Sequence, residues 1–207
     1  MLYTPTHFAV EDRALAAALM RACPFATLIT QGSDEPVVSH VPLLLVDEGD
    51  TWHLLGHVAR ANPHWELWNE RKRILAIFNG GDAYISPALY SARKAVPTWN
   101  YAIVHAHGFV EVWHDSERKE QVLKALIDRH DAAYRSQWDE LDSAYREGMK
   151  GGIVAFTIAI ERIEAKFKLS QNRPEADRAR VLEAMQAGGD KGLALARWSA
   201  LINGDGA

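Results

Sequence analysis

The sequence predicts a mainly β protein: a small antiparallel barrel with helices packed outside it. Three observations carry this reading. About seven segments are rich in branched and aromatic residues and end in Gly, Pro, Asp or Ser clusters, the pattern of strands. Hairpin-like turns join several of them. Few helical stretches fall between strands, which argues against a parallel sheet built from βαβ units.

Glu11 to Ala22 places Leu15, Ala18, Leu19 and Ala22 on one helical stripe, and Pro24 ends that helix. Phe25 to Thr30 reads as a buried strand. Pro36 to Val46 reads as its hairpin partner, with Ser39 and Val41 on one side and His40 and Pro42 on the other. Pro42 cannot donate to a ladder, so it marks an edge or a bulge. Asp47 to Asp50 is a turn and Thr51 to His57 a third strand. From Pro63 to about Lys72 the chain predicts a short helix with Trp65 and Trp68 on its buried side.

Arg73 to Asn79 reads as a strand, Gly80–Gly81–Asp82 as a turn, Ala83 to Ser86 as extended, and Pro87 to Pro97 as loop. Thr98 to Trp113 is a long strand with two largely apolar faces, so both are expected to be covered. Its small residues Ala102, Ala106 and Gly108 invite close approach by another backbone. Ser116 to Trp138 reads as an amphipathic helix with Leu123, Ile127, His130 and Tyr134 recurring on it. Ser143 to Lys150 is a second helix. Ile153 to Ile163 is a strong strand that can continue to Lys168. After Gln171 two helices follow, Pro174 to Gln186 and Lys191 to Ile202.

The 207 residues suit one domain, or one with an appendage. Apolar content of 48% and charged content of 24% are those of an ordinary globular chain. The N-terminal MLYTPTHF has no apolar run, and no run approaches the ~20 residues that span a bilayer. A cytoplasmic protein is therefore expected. Cys23 is the only cysteine, which excludes an internal disulfide and a cysteine-based metal site. Net charge of −4 gives no global attraction for nucleic acid. The C-terminal helix pair carries only Lys191 and Arg197 on its second member, too few for a recognition helix, so the charge pattern does not support direct DNA contact.

Four polar and aromatic stretches carry the chemistry: HVARANPHW (57–65), AYISPALY (83–90), VPTWNY (96–101) and KFKLSQNR (166–173). In the first, Asn62 and Pro63 read as a helix start with Arg60 beside it, a combination that suits an anion such as phosphate. An ordinary capped helix with a solvated Arg fits the same residues. In the last, Lys166, Lys168 and Ser170 share one face if extended. Tyr90, Trp99 and Tyr101 offer flat apolar surface. Together the four stretches point to a ligand pocket. His105 and His107 share a strand face, but no third-ligand spacing accompanies them, so no metal is expected.

The motifs YTPTHF, PFATLIT, SHVPLLL, GHVARANPHW, LAIFNGGDAYISP, VPTWNYAIVHAHG and FKLSQNR follow one another in this order. In this the chain resembles the PaiB family of FMN-binding split-barrel proteins, described in bacteria as negative regulators of transcription. The resemblance covers the chain to about Leu182. It departs at one extra residue ahead of Tyr3 and at PALY, where a tryptophan-containing version is usual.

The resemblance implies an FMN-binding split β-barrel, pyridoxamine-phosphate-oxidase-like, over residues 1–170, with 171–207 a helical appendage packed on the barrel or on a dimer partner. It implies a homodimer with FMN at the interface. Carried over, His57, Arg60 and Asn62 would lie nearest the phosphate, and Thr98, Trp99 and Asn100 beside the flavin or its ribityl chain. Lys168, Gln171 and Arg173 would come from the C-terminal strand, and Ser39, His40 and Val41 would border the ring. The implied function is a transcriptional regulator or flavin-based sensor. An FMN-dependent oxidoreductase or flavin reductase is the alternative, and haem binding through a histidine in a similar barrel is a lesser one.

Overall fold

A computed structural model describes residues 1–49, 51–68 and 72–203. Asp50, the end of the predicted Asp47–Asp50 turn, and residues 69–71 of the predicted helix lie outside the described residues.

Seven strands form one sheet. They are β1 (Phe25–Gln31), β2 (Pro36–Pro42), β3 (Leu44–Glu48), β4 (Thr51–Ala59), β5 (Arg73–Ile85), β6 (Thr98–Trp113) and β7 (Ile153–Lys168), in the order β2-β1-β5-β6-β7-β4-β3. The β1–β2, β1–β5, β3–β4 and β4–β7 pairs run antiparallel. β2 and β3 stand at opposite ends of this order, yet only Leu43 separates them. Successive Cα atoms lie about 3.8 Å apart, so the sheet must curl until its two ends meet at that corner. The split barrel follows from that one-residue link.

Two strand predictions are corrected here. Pro36 to Val46 is two strands, not one. Pro42 has no N–H to hold the ladder, and the next residue, Leu43, turns away to donate to Pro24 O at 2.9 Å while burying its side chain. The pieces 73–79 and 83–86 are one strand, β5. Gly81 absorbs the irregularity with φ of 112°, a conformation that L side chains rarely adopt.

The chain packs as two compact units. One comprises Pro24–Ile77 and Ala106–Ile163. Its interior holds Leu28, Leu54, Phe156 and Ile158, all fully buried. Trp68 rests on Phe156 with ring centroids 4.8 Å apart and donates Nε1–H to the buried Thr30 Oγ1 at 3.0 Å. The predicted helix from Ser116 to Trp138 is interrupted. α2 (Ser116–His130) ends at Asp131, whose backbone leaves the helical region with φ of −154° and ψ of 67°, and α3 (Arg135–Glu140) follows a 3₁₀ turn. α2 buries Val122 and Leu126 against Ala155, with Leu44 and Trp113 alongside. Leu123 and Ile127 are only half-buried and His130 is exposed, so the buried stripe lies one residue from the predicted one. α4 (Ser143–Gly151) completes the unit.

The other unit comprises Met1–Cys23, Phe78–His105 and Glu164–Ala207. α1 (Arg13–Ala22) starts at Asp12, whose carboxylate accepts from Ala14 N at 2.8 Å. It buries Ala16, Ala17, Leu19 and Met20, while Ala22 is exposed, again a small rotation from the predicted stripe. α5 (Glu175–Gln186) and α6 (Gly189–Asn203) follow. They bury Val181, Met185, Leu195 and Trp198, and Trp198 packs edge-on to Phe167 with centroids 5.8 Å apart.

β6 has the predicted bounds. Ala102, Val104, Ala106 and Val110 are buried, while Tyr101, Ile103, His105, His107 and Phe109 are half-buried. Among the described residues no helix is long and apolar enough to cross a membrane.

Candidate functional site

The predicted site residues fall into two sets, one on each unit. In the unit that carries the C-terminus, the end of β7 and the start of β6 frame a pocket of about 220 Å³. Thr98, Asn100, Lys168 and Arg173 all line it. Lys168 Nζ donates to Thr98 Oγ1. Asn100, fully buried, donates Nδ2–H to Ser170 Oγ at 3.0 Å. Ser170 has φ of 66°, strained for a residue with a Cβ, and that kink ends the strand alternation after Leu169.

Arg173 lies over the Tyr90 ring, 4.1 Å from its centroid. The Tyr90 hydroxyl is buried with no hydrogen-bond partner among the described residues. A buried donor of this kind is costly unless something fills its valence. Ser91 steadies the loop after Tyr90. Its N–H and Oγ donate to Asp177 Oδ1 at 3.0 and 2.7 Å, and Arg180 pairs with the same carboxylate. The Ser91 hydrogen bond, more than any other group, holds the Asp177 carboxyl below its usual range.

Two predicted residues do not line this pocket. Trp99 is 54% exposed and stands edge-on to Tyr84, with centroids 6.0 Å apart. The Gln171 amide folds back on its own chain, accepting from Leu169 N at 2.7 Å and donating to Phe167 O. Phe8 and Asn172 do line it. Asn172 follows the two lysines in a stretch whose polar residues suit a phosphate-bearing ligand, whereas Phe8 gives no such signal, although it lies inside the YTPTHF motif.

The second set sits on the other unit. Ser39 and Val41 point inward from β2 and are buried, while His40 points outward beside Thr27 and the exposed Phe25. The predicted helix at Pro63 is a five-residue 3₁₀ turn, Pro63–Leu67, too short to build a substantial macrodipole. Asn62 caps it, accepting from His64 N and donating to Ser39 Oγ, both at 3.0 Å. His64, rather than Trp65, joins Trp68 on the buried side.

Arg60 donates from Nε to Gly151 O at 2.8 Å and from Nη2 to Ile153 O at 3.4 Å. Lys119 Nζ donates to Lys150 O at 3.0 Å. Lys150 O and Gly151 O close the C-terminal end of α4, where partial negative charge collects, and Ile153 O opens β7, so both cations cap the end of that helix.

His57 and His64 add a pH response. Burial holds both imidazoles below their usual value, and His57 Nδ1 and His64 Nε2 have no partner among the described residues. The unfolded histidines take protons below about pH 6.5, where the folded ones do not. Their contribution to stability is complete above that pH and is lost as pH falls through the lower folded values. Urea midpoints should therefore drop between pH 7 and pH 5, and His64→Gln should flatten the slope. A midpoint constant over that range would contradict it.

Residues 2–162 match the family described as "Putative FMN-binding domain". The chain belongs to that family: it is an FMN-binding split-barrel protein of the PaiB type. It is 34% identical over 187 residues to the "Protease synthase and sporulation protein PAI 2" of Bacillus subtilis (strain 168), with 89% of each chain covered. Among solved structures it is similar to the flavocytochrome Anf3 from Azotobacter vinelandii, with a TM-score of 0.62 and 18% identity over 83% of this chain and 75% of that one. It is also similar to the FAD and heme binding protein from Mycobacterium smegmatis, with a TM-score of 0.61 and 20% identity over 88% and 80%. At these identities the two structures show the shared fold.

The pocket suits one end of FMN. A phosphate monoester needs several donors and positive charge in one place. Lys168, Arg173 and the unpaired Tyr90 hydroxyl supply both.

Proposed function

We propose that this chain is a flavin-responsive regulator of transcription in the cytoplasm, as the name of the PaiB family suggests, and that it works as a homodimer sharing FMN between copies. The observation that carries the flavin placement is the Lys168–Arg173 pocket with its unpaired Tyr90 hydroxyl. Lys168 and Arg173 hold the phosphate. Thr98 and Asn100 face the ribityl chain, and Gln171 braces the turn that presents them. Residues 171–207 are a helical appendage to the 1–170 barrel, and its first residues complete this pocket.

The second copy contributes the segments with Ser39, His40 and Val41 and with His57, Arg60 and Asn62. The half-buried face of β6, with Tyr101 and Ile103, supports a hidden partner surface. When bound, FMN supplies reversible electron transfer. The chain's own residues bind and orient it.

A gel shift on promoter fragments at fixed salt, with oxidised and with reduced FMN, tests the regulator reading. A shift that depends on the flavin state supports it. Absence of any shift, joined to rapid bleaching of bound flavin by NAD(P)H, would transfer the chain to the oxidoreductases. Arg60→Ala separates the two site sets. It should lower stability by about 1 kcal/mol through loss of the α4 cap. FMN affinity should change by less than about threefold, under 1 kcal/mol. A much larger loss of affinity would put the phosphate at Arg60 instead.

A further inference from the structure

We propose that a cavity on the Pro24–Ile77 and Ala106–Ile163 unit binds an organic cation, a protonated amine carried on a flat apolar body. The proposal is independent of the flavin reading. The cavity measures about 670 Å³, within the range of small-molecule sites.

Its floor is a sheet face whose register is fixed. His53 pairs with Val46 on β3 and with Ala159 on β7, and Leu55 pairs with Thr157. Phe109 and Trp113 of β6 add aromatic wall. Behind the Trp113 wall, Val122 and Leu126 of α2 pack with Ala155.

The polar groups in this apolar setting are mainly acceptors. Glu48 and Glu111 line the cavity, are exposed, and have no hydrogen-bond or ion-pair partner among the described residues. His53 likewise has none. Thr157 is 9% exposed, and its buried hydroxyl has no partner among the described residues. Two carboxylates repel an anion and leave a neutral apolar ligand with nothing to offer them. A ligand with donors and positive charge answers both.

The protein shows that the wall tolerates cations. Arg73 lies 5.0 Å from the Phe109 centroid and Arg118 lies 4.5 Å from that of Trp113. Arg73 is paired with Glu161 at 3.1 Å.

Calorimetric titration at pH 7 of the FMN-loaded protein tests this with three probes on the same phenylpropyl frame: 3-phenylpropylamine, 3-phenylpropanol and 3-phenylpropanoate. The amine should bind, the alcohol at least about tenfold more weakly, and the carboxylate not measurably. Glu48→Gln and Glu111→Gln, both on exposed side chains and so harmless to the fold, should each weaken the amine about tenfold, the size expected of a charge-assisted contact. Leu55→Trp, which fills the floor, should abolish amine binding and leave the flavin spectrum unchanged.

Equal binding of amine and alcohol, or full affinity in both Gln variants, would overturn the proposal. So would no amine binding at all, or competition between amine and FMN, which would make this the flavin's own cavity. If Leu55→Trp instead converts a dimer to a monomer by sedimentation, a second copy covers this face and the proposal falls.

Discussion

Lys168→Ala and Arg173→Ala are each expected to weaken FMN roughly ten- to a hundredfold while leaving riboflavin affinity where it was. The reasoning is differential. A hydrogen bond to a charged group contributes about 1.5–3 kcal/mol, which corresponds to that range of affinity, and only FMN carries the phosphate. Both side chains line one pocket, and the unpaired Tyr90 hydroxyl stands with them. Arg173 also stacks on Tyr90, so its loss could act through the ring. Arg173→Lys keeps charge and loses the planar fork, and should recover part of the affinity. Titration by flavin fluorescence reads all of these. Equal losses for FMN and riboflavin would show that these residues serve the ring or the fold, and the phosphate would have to be sought elsewhere.

Gly108→Ala is expected to be the most damaging single methyl in the barrel. A Cβ at Gly108 would lie 2.1 Å from Ala159 O and 2.9 Å from Ile158 Cγ2. The first of these is backbone on β7, which has nowhere to go without breaking a strand pair. Overpacking in a well-packed interior costs about 1–3 kcal/mol, and contact with a fixed carbonyl belongs at or above the top of that range. Denaturant unfolding should show a loss of about 3 kcal/mol or more, or failure to fold. A loss below about 1 kcal/mol would mean that β6 and β7 can part at this point.

The same glycine shows what the sequence made legible. A small residue among Ala102 and Ala106 on one face of a long strand announced close backbone approach, and β6 has the predicted ends because its alternation is unbroken over its full length. Pro42 announced an edge or a bulge, and β2 is an end strand of the sheet order. Other signals were ambiguous for physical reasons. The glycines at 80 and 81 read as a turn. The pairing of β5 overrode that local preference, and Trp198 Nε1 donates to Gly80 O at 3.1 Å from a helix more than a hundred residues away.

The candidate site was legible as segments more than as side chains. Lys168 and Arg173 lay in a motif that reads as cationic, and both reach the pocket. Arg60 read as a solvated residue of a capped helix or as an anion ligand, whereas its guanidinium meets the Gly151 carbonyl at the end of α4, about ninety positions further along. No local pattern in HVARANPHW could report that partner. Trp99 differs from Thr98 and Asn100 for a simpler reason: on a strand, neighbours point to opposite sides.

Leu43 has a mechanical consequence. The two rim strands it connects share no ladder with each other among the described residues, and β2 is held besides by the Asn62 and His64 bonds to Ser39. Any breathing of the seam between them must pivot at Leu43, whose amide is itself pinned to Pro24. The excursion then grows with distance from the pivot, toward Pro36 on one rim and Glu48 on the other, so solvent enters the ring from those ends first.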